Sequence, residues 1–216
     1  MPTVFQPTVA PRPFLKWAGG KSKLIQQYIP YFPQDYKTYY EPFLGGGAIF
    51  FYMTPASAVL TDINPELVNA YRCVRDNVDE LIILLEAHQL QHCKKHYYEV
   101  RQFRNLLPIE KAARLIYLNK TCFNGLYREN SKGEFNVPIG KYKNPKICNQ
   151  SLLISVSAAL QKAQIEVRHF EDILECATNS DDFVYFDPPY HPISATSNFT
   201  AYSRYSFSES DQRRLK

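Results

Sequence analysis

Seven residues, Val184-Tyr185-Phe186-Asp187-Pro188-Pro189-Tyr190, restrict the fold more than any other stretch of the chain. Val184, Tyr185 and Phe186 are β-branched or aromatic types that suit a half-buried pleated surface, so they read as a strand. Two prolines then remove two backbone donors and fix two φ angles, and the ladder cannot continue. Asp187 stands at the carboxyl end of that strand, pushed to extended ψ by the proline after it. The outcome is a rigid tip carrying a carboxylate, unpaired carbonyls and a phenol ring. A strand end followed by a turn is the plain alternative, and Asp-Pro alone would not exclude it. The whole tip suits a more specific chemistry. The exocyclic amine of a nucleobase is a poor nucleophile, because its lone pair is delocalised into the ring. The Asp187 carboxylate and the Pro188 carbonyl can each accept one of its N–H bonds, which favours a pyramidal nitrogen with its lone pair aimed at an electrophile. Tyr190 offers a face on which a flipped base can stack.

The 216 residues suffice for one domain with a sizeable core and an inserted subdomain. The longest aliphatic run, residues 81–85, is far too short to span a membrane, and the N-terminus lacks a basic-then-apolar signal pattern. Cys73, Cys93, Cys122, Cys148 and Cys176 are odd in number, widely spaced and without a Cys-x-x-Cys pair. They read as reduced thiols rather than a disulfide framework or zinc site, which makes the cytoplasm the expected location. The net charge of +4 is too small to imply nucleic acid, but its location is informative. Residues 120–146 carry Lys120, Arg128, Lys132, Lys141, Lys143 and Lys146 against Glu129 and Glu134, a net +4 equal to the whole chain's excess. A phosphate backbone would select such a patch, although a solvated charged loop also accounts for it.

Residues 1–13 hold four prolines and read as a flexible leader. Next comes Phe14-Leu15-Lys16-Trp17-Ala18-Gly19-Gly20-Lys21-Ser22, running into a helix to about residue 29. A phosphate-binding P-loop is excluded, since it needs glycine at position 15, where the chain has Leu. A strand at residues 38–41 leads into Pro42-Phe43-Leu44-Gly45-Gly46-Gly47 and a helix at 48–53, the opening of a ligand-binding α/β unit. Gly45 and Gly47 match a dinucleotide fingerprint, but Phe50 stands at its third glycine. Glu41 at the strand end would repel a pyrophosphate and favour a cationic ligand. S-adenosylmethionine, with a sulfonium, an ammonium and no phosphate, fits that preference. A second strand at 58–61 ends at Asp62, placed to bind ribose hydroxyls or to cap a turn; beside the glycine loop the ribose role is favoured. Asn64 and Pro65 then cap and start a helix.

From residue 66 to 121 the pattern is helical, with Leu67, Ala70, Tyr71 and Val74 on one face and Leu81, Leu84, Leu85 and His88 on another. Further helices are expected at about 97–106 and 110–118. Such a block between strands suggests an insertion, 66–150, in a catalytic domain formed by 1–65 and 151–216. His88, His92 and His96 are spaced four apart beside Cys93, but a polar helix face explains them better than a metal, and no metal is expected. Two segments around a Ser-Lys-Gly turn within residues 122–146 read as a β-hairpin. Such a ribbon can enter a major groove. Arg128 would fork onto guanine, Leu126 and Pro138 would touch a thymine methyl, Phe123 would wedge where a base leaves, and lysines would hold phosphates. A helix at 152–163, a strand at 165–168 and a short helix at 171–177 return to β-α-β order. A polar loop at 191–206, with Phe199, Tyr202 and Tyr205, precedes a helix announced by Ser208 and Asp211.

Five stretches together, residues 14–21, 41–47, 61–65, 124–143 and 187–190, resemble the Dam-like (D12 class) DNA adenine-N6 methyltransferases, in that family's order. Asp-Pro-Pro-Tyr is shared with other amino-methyltransferases, whereas Asn-Gly-Leu-Tyr-Arg with Phe-Asn-Val-Pro is much more specific. The resemblance implies an α/β, Rossmann-like S-adenosylmethionine-dependent sheet with an inserted helical DNA-recognition subdomain. It implies cofactor binding by Trp17, Lys21, Asp62 and Asp187, with Glu41, Gly45 and Gly47 near the methionine moiety and Asp172 at the cofactor adenine. Catalysis would use Asp187, Pro188 and Tyr190. Lys16, Leu126, Arg128 and Pro138 match positions that read bases in members methylating GATC, and Phe123, Asn124 and Lys141 complete the expected DNA face. Lys141 stands where many relatives have Arg. Relatives continue past residue 216 to complete the sheet, so a truncated sheet is expected here. The expected partner is double-stranded DNA, met by a monomer, in a mismatch-repair or restriction–modification setting that would add a cognate endonuclease. Cytosine N4, RNA and an inactive fragment remain the alternatives, since the amine chemistry is the same or absent.

Overall fold

The computed structural model describes residues 9–190 and 207–216; the first eight residues of the expected leader and the loop with Phe199, Tyr202 and Tyr205 lie outside them. Four parallel strands form the sheet: β1 (Tyr39–Glu41), β2 (Ala58–Asp62), β3 (Ala163–Val167) and β4 (Phe183–Val184), in the order β3-β2-β1-β4. Growth from β1 through β2 to β3 goes one way, and β4 returns to the other flank of β1. The direction reverses between β1 and β4, and connections leaving the two carboxyl ends diverge there and open a crevice.

Local chemistry sets the helices. Gly47, at φ +64°, starts α2 (Ala48–Met53) from a left-handed position that a side chain would disfavour. Asn64 caps α3 (Pro65–Asp76) by accepting from the N–H groups of Glu66 and Leu67, and Pro65 fills the first position, where its missing donor is harmless. Leu67, Ala70, Tyr71 and Val74 are fully buried, as their spacing requires. They press α3 onto β2, β3, α6 (Pro108–Thr121) and α7 (Gln150–Leu160). Arg72 and Arg75 on α3 donate to the Ile165 and Ala163 carbonyls and fix the helix along β3. The helices α4 (Val78–Leu90) and α5 (Lys94–Gln102) also pack on α6. One continuous core runs from the sheet into this helical block.

Elements differ from their sequence reading in several places; α5 and β3 begin before their expected starts at 97 and 165. The helix after residue 22 is one turn, α1 (Ile25–Tyr28), followed by a 3-10 turn at Ile29–Tyr31 that contains Pro30. Residues 171–177 divide into a 3-10 turn, Phe170–Asp172, and a short α8 (Ile173–Cys176). β4 comprises Phe183 and Val184, one position earlier than expected; the Tyr185 N–H still donates to Tyr40 at 2.9 Å, and the prolines end the pairing. The hairpin holds no regular strands. Two isolated antiparallel bridges, Cys122–Ile139 and Glu129–Phe135, join its arms, because Pro138 offers no donor and Asn124 takes a left-handed turn. The expected C-terminal helix is α9 (Glu209–Arg214), where the Ser208 hydroxyl and the Asp211 carboxylate satisfy each other's backbone N–H.

Candidate active site

Glu41 closes β1 at the crevice floor. It is buried, and Tyr39 donates its hydroxyl to Oε2 at 2.8 Å. Burial pushes the Glu41 carboxyl up to about 8 against the hydrogen bond from Tyr39, and the negative charges of Asp187 and Asp62 add to the rise. Beyond it the glycine loop turns through Gly45 at φ +47° and Gly47 at φ +64°. A Cβ on Gly45 would stand 3.0 Å from Trp17 Cδ1, so the loop and the indole can be neighbours only without a side chain there. Asp62, at the end of β2, accepts from the N–H of Gly45 at 3.0 Å and from that of Asn64 at 2.9 Å. It therefore fastens the glycine loop as well as lining the cavity, and burial raises its pKa in spite of these backbone donors.

Opposite Glu41, the tip after β4 carries Asp187. Both of its carboxylate oxygens lie 2.5 Å from Lys21 Nζ, which also donates to the Gly19 carbonyl at 2.7 Å. Burial pulls the Lys21 ammonium down, but hydrogen bonds to Asp187 and Tyr190 and the carboxylate's charge more than offset it and raise its pKa. Lys21 also lies 5.0 Å from the centre of the Tyr190 ring, most of whose surface faces solvent. Lys21, expected at the cofactor, lines the cavity and meets the Asp187–Tyr190 tip. Pro188 lines the same cavity.

The cavity, about 1030 Å³, runs from Trp17 and Lys21 past Glu41, the glycine loop and Asp62 to Asp187, Pro188 and Tyr190, and on to Asn124 and Leu126. One wall is aromatic. Phe43 stacks on Phe170 with centroids 5.5 Å apart, and Phe207 meets both at 5.5 and 5.6 Å. None of the three was singled out from the sequence; Phe43 beside the glycine loop was the one available signal. Asp172 is not among the residues lining the cavity: its carboxylate accepts the His169 N–H and closes the 3-10 turn. The three histidines gather around Tyr117 of α6. His88 and His96 share a hydrogen bond of 3.0 Å, His92 bonds the Tyr117 hydroxyl at 2.9 Å, and Cys93 caps α5. Burial, then the proximity of His96, pushes His88 down to about 4.

On the rim, the hairpin alternates between anchored and exposed residues. Gly125, Tyr127, Phe135 and Val137 are buried, while Phe123, Asn124, Arg128, Pro138 and Lys141 are exposed and Leu126 is half-buried. The Tyr97 hydroxyl and Arg101 both donate to the Val137 carbonyl, which ties the ribbon to α5. Lys16 is exposed beside the ribbon, its ammonium 3.1 Å from the Tyr142 hydroxyl. Arg128 donates from Nε to Asn136 Oδ1 at 2.7 Å. Lys120 extends this basic face. Burial and the neighbouring cations Lys16 and Arg12 push it down to about 8, an environment that an anion would relieve.

The family model for D12 class N6 adenine-specific DNA methyltransferases matches residues 17–216. The chain belongs to this family. It is 45% identical over 213 residues to the type II methyltransferase M1.LlaDCHI of Lactococcus lactis subsp. cremoris, across 95% of this chain and 75% of the relative. It is 42% identical over 225 residues to the type II methyltransferase M.MjaIII of Methanocaldococcus jannaschii, across 94% and 78%. Against the DNA adenine methylase of Escherichia coli K12 it is 37% identical over 212 residues, across 94% and 74%. As a D12 class chain it is an adenine-specific DNA methyltransferase, and its parallel sheet agrees with the Rossmann-like arrangement expected of one. No helix among the described residues is long and apolar enough to cross a membrane.

Proposed function

We propose that the protein transfers a methyl group from S-adenosylmethionine to N6 of an adenine flipped out of double-stranded DNA, with GATC the first expected target. One observation carries this reading: a single cavity joins three carboxyls at the β1–β4 crevice to the exposed face of the hairpin. The residues suit the donor. Three carboxyls face the crevice, and Glu41, neutral without a ligand, would ionise beside a positive charge, which favours a cation over a phosphate; the wall of Phe43, Phe170 and Phe207 gives a flat adenine an apolar slot. When bound, the cofactor supplies an electrophilic sulfonium methyl. Trp17 and the glycine loop would border its methionine end, and Asp62 its ribose.

Asp187 and the Pro188 carbonyl would accept the two N–H bonds of the adenine amine, and Tyr190 would stack on the base. Oδ1 of Asp187 also accepts from the Tyr190 hydroxyl at 3.4 Å, whereas Oδ2 keeps a lone-pair direction beyond the one facing Lys21, so Lys21 can hold the carboxylate in place while the amine approaches Oδ2. Attack would be direct, and the amine proton leaves after transfer, so Asp187 orients rather than acting as a strong base. Residues 66–150 would serve as the target-recognition part, with Lys16, Leu126, Arg128 and Pro138 at base edges and Phe123 in the vacated stack. Asn124, Lys141 and Lys120 would lie along the backbone. A type II system with a cognate endonuclease is the setting that fits the names of two relatives, and a monomer suffices for the arrangement.

Expression in a methyl-free host, followed by sequencing of modified adenines, tests the reading. Methyladenine at one short site is expected, lost in Asp187→Ala while duplex binding persists. Methylcytosine instead, or normal methylation by Asp187→Ala, would sink it.

A further inference from the structure

Asn119, near the end of α6, is buried and does not line the cavity, yet it joins two segments that do. Its Oδ1 accepts the Lys16 N–H at 2.8 Å, and its Nδ2 donates to the carbonyls of Lys16 at 2.7 Å and Gly125 at 3.0 Å. Lys16 immediately precedes Trp17, and Gly125 immediately precedes Leu126. One amide thus pins the loop proposed to border the cofactor to the turn proposed to read DNA. The packing is as close as a chain permits. A Cβ on Gly125 would fall 2.4 Å from Lys16 Cδ and 2.6 Å from Lys16 Cβ. Beside this bridge the Trp17 indole stacks on Tyr127 of the hairpin, centroids 5.3 Å apart and planes 30° apart.

We propose that Asn119 is a positioning residue that couples the two ligands. By holding Lys16 and Gly125 in register, it makes the placement of Trp17 set the placement of Asn124 and Leu126, and the reverse. Ordering one loop with a ligand then leaves less to order for the second ligand, so each tightens the other. The inference rests on the functional reading above.

Trp17 is the single tryptophan of the chain, so its fluorescence reports the junction directly. S-adenosylhomocysteine is titrated with and without a saturating short duplex carrying the methylated site. In the unaltered protein the duplex should tighten the nucleoside at least about fivefold, a usual size for such coupling. In Asn119→Ala the factor should fall towards one, with binary S-adenosylhomocysteine affinity largely kept and kcat lowered more than the cofactor KM rises. Gly125→Ala, which pushes Lys16 away while leaving Asn119 intact, should lose the coupling as well. Retained coupling in both variants overturns the inference, and so does loss of binary nucleoside binding in both, which would reduce the bridge to a folding role. An unaltered protein that binds no S-adenosylhomocysteine overturns the functional reading itself.

Discussion

Replacing Glu41 with glutamine should separate cofactor affinity from stability. Glu41 is pushed up to about 8 in the crevice, so at pH 7 roughly nine molecules in ten carry it protonated. Glutamine is close in shape and charge to that neutral form, and the Tyr39 hydroxyl still finds an oxygen acceptor. Below about pH 4.5 stability should therefore change by less than about 1 kcal/mol, whereas at pH 7 the variant should be the more stable by about 3 kcal/mol, because only the unfolded wild-type carboxyl ionises there. The pH dependence should change more. The unfolded carboxyl ionises near 4.5 and the folded one near 8, so the native chain holds the extra proton between them. Its contribution to stability is present below 4.5 and is lost as pH rises to about 8; Glu41→Gln removes that slope. A cationic cofactor reverses the preference. Ionising Glu41 at pH 7 requires about 1.4 kcal/mol, while a cation about 4 Å away returns about 4 kcal/mol at an effective dielectric constant of about 20. The difference, about 2–3 kcal/mol, is a factor of about 30–150 in affinity that glutamine forfeits. Titration calorimetry with S-adenosylmethionine in buffers of different ionisation enthalpy reads both effects. The native protein should release up to about one proton at pH 7 and bind more tightly as pH approaches 8, and the variant should do neither. A Glu41→Gln protein with unchanged affinity and the same pH slope would refute the argument.

Two further outcomes follow from local geometry. Lys120, pushed down to about 8, should take up a proton when a phosphate approaches; duplex affinity measured by anisotropy should be flat below pH 8 and fall above it, and Lys120→Gln should abolish that fall and reduce the salt slope by about one ion. An unchanged pH profile in Lys120→Gln would remove it from the DNA face. Gly47→Ala forces a side chain into φ +64° and places its Cβ 2.9 Å from the Tyr71 hydroxyl. Thermal denaturation should show a loss of about 1–3 kcal/mol, and an unchanged midpoint would contradict the close packing.

What the sequence disclosed was decided locally. Asn64-Pro65 and Ser208 announce their helices because a cap acts within one turn, and the faces of α3 follow from spacing alone. The carboxylates at strand ends were legible because glycines and prolines mark where strands stop. Contacts between distant segments were not. Nothing in the neighbourhood of Lys21 indicates that its ammonium meets Asp187, and Phe43, Phe170 and Phe207 become a wall only once β1, β3 and the C-terminal helix converge. Asp62 looked like a choice between turn and ligand, and the geometry gives it the turn contacts and a place on the cavity together. The hairpin pattern promised a ladder that Pro138 and Asn124 interrupt, a detail set by backbone geometry rather than by alternation.

The pairing of β4 with β1 also orders events in time. Lys21 and Asp187 lie 166 positions apart, whereas the hairpin closes between Asn130 and Glu134. Local closure is fast, and a long loop must be closed before a distant contact can contribute. During synthesis the elements proposed to touch the duplex can therefore assemble while Asp187, the proposed acceptor of the amine, is still unmade. On the proposed reading, capacity to hold DNA would come early in the life of each molecule, and capacity to modify it late, gated by the arrival of a two-residue strand.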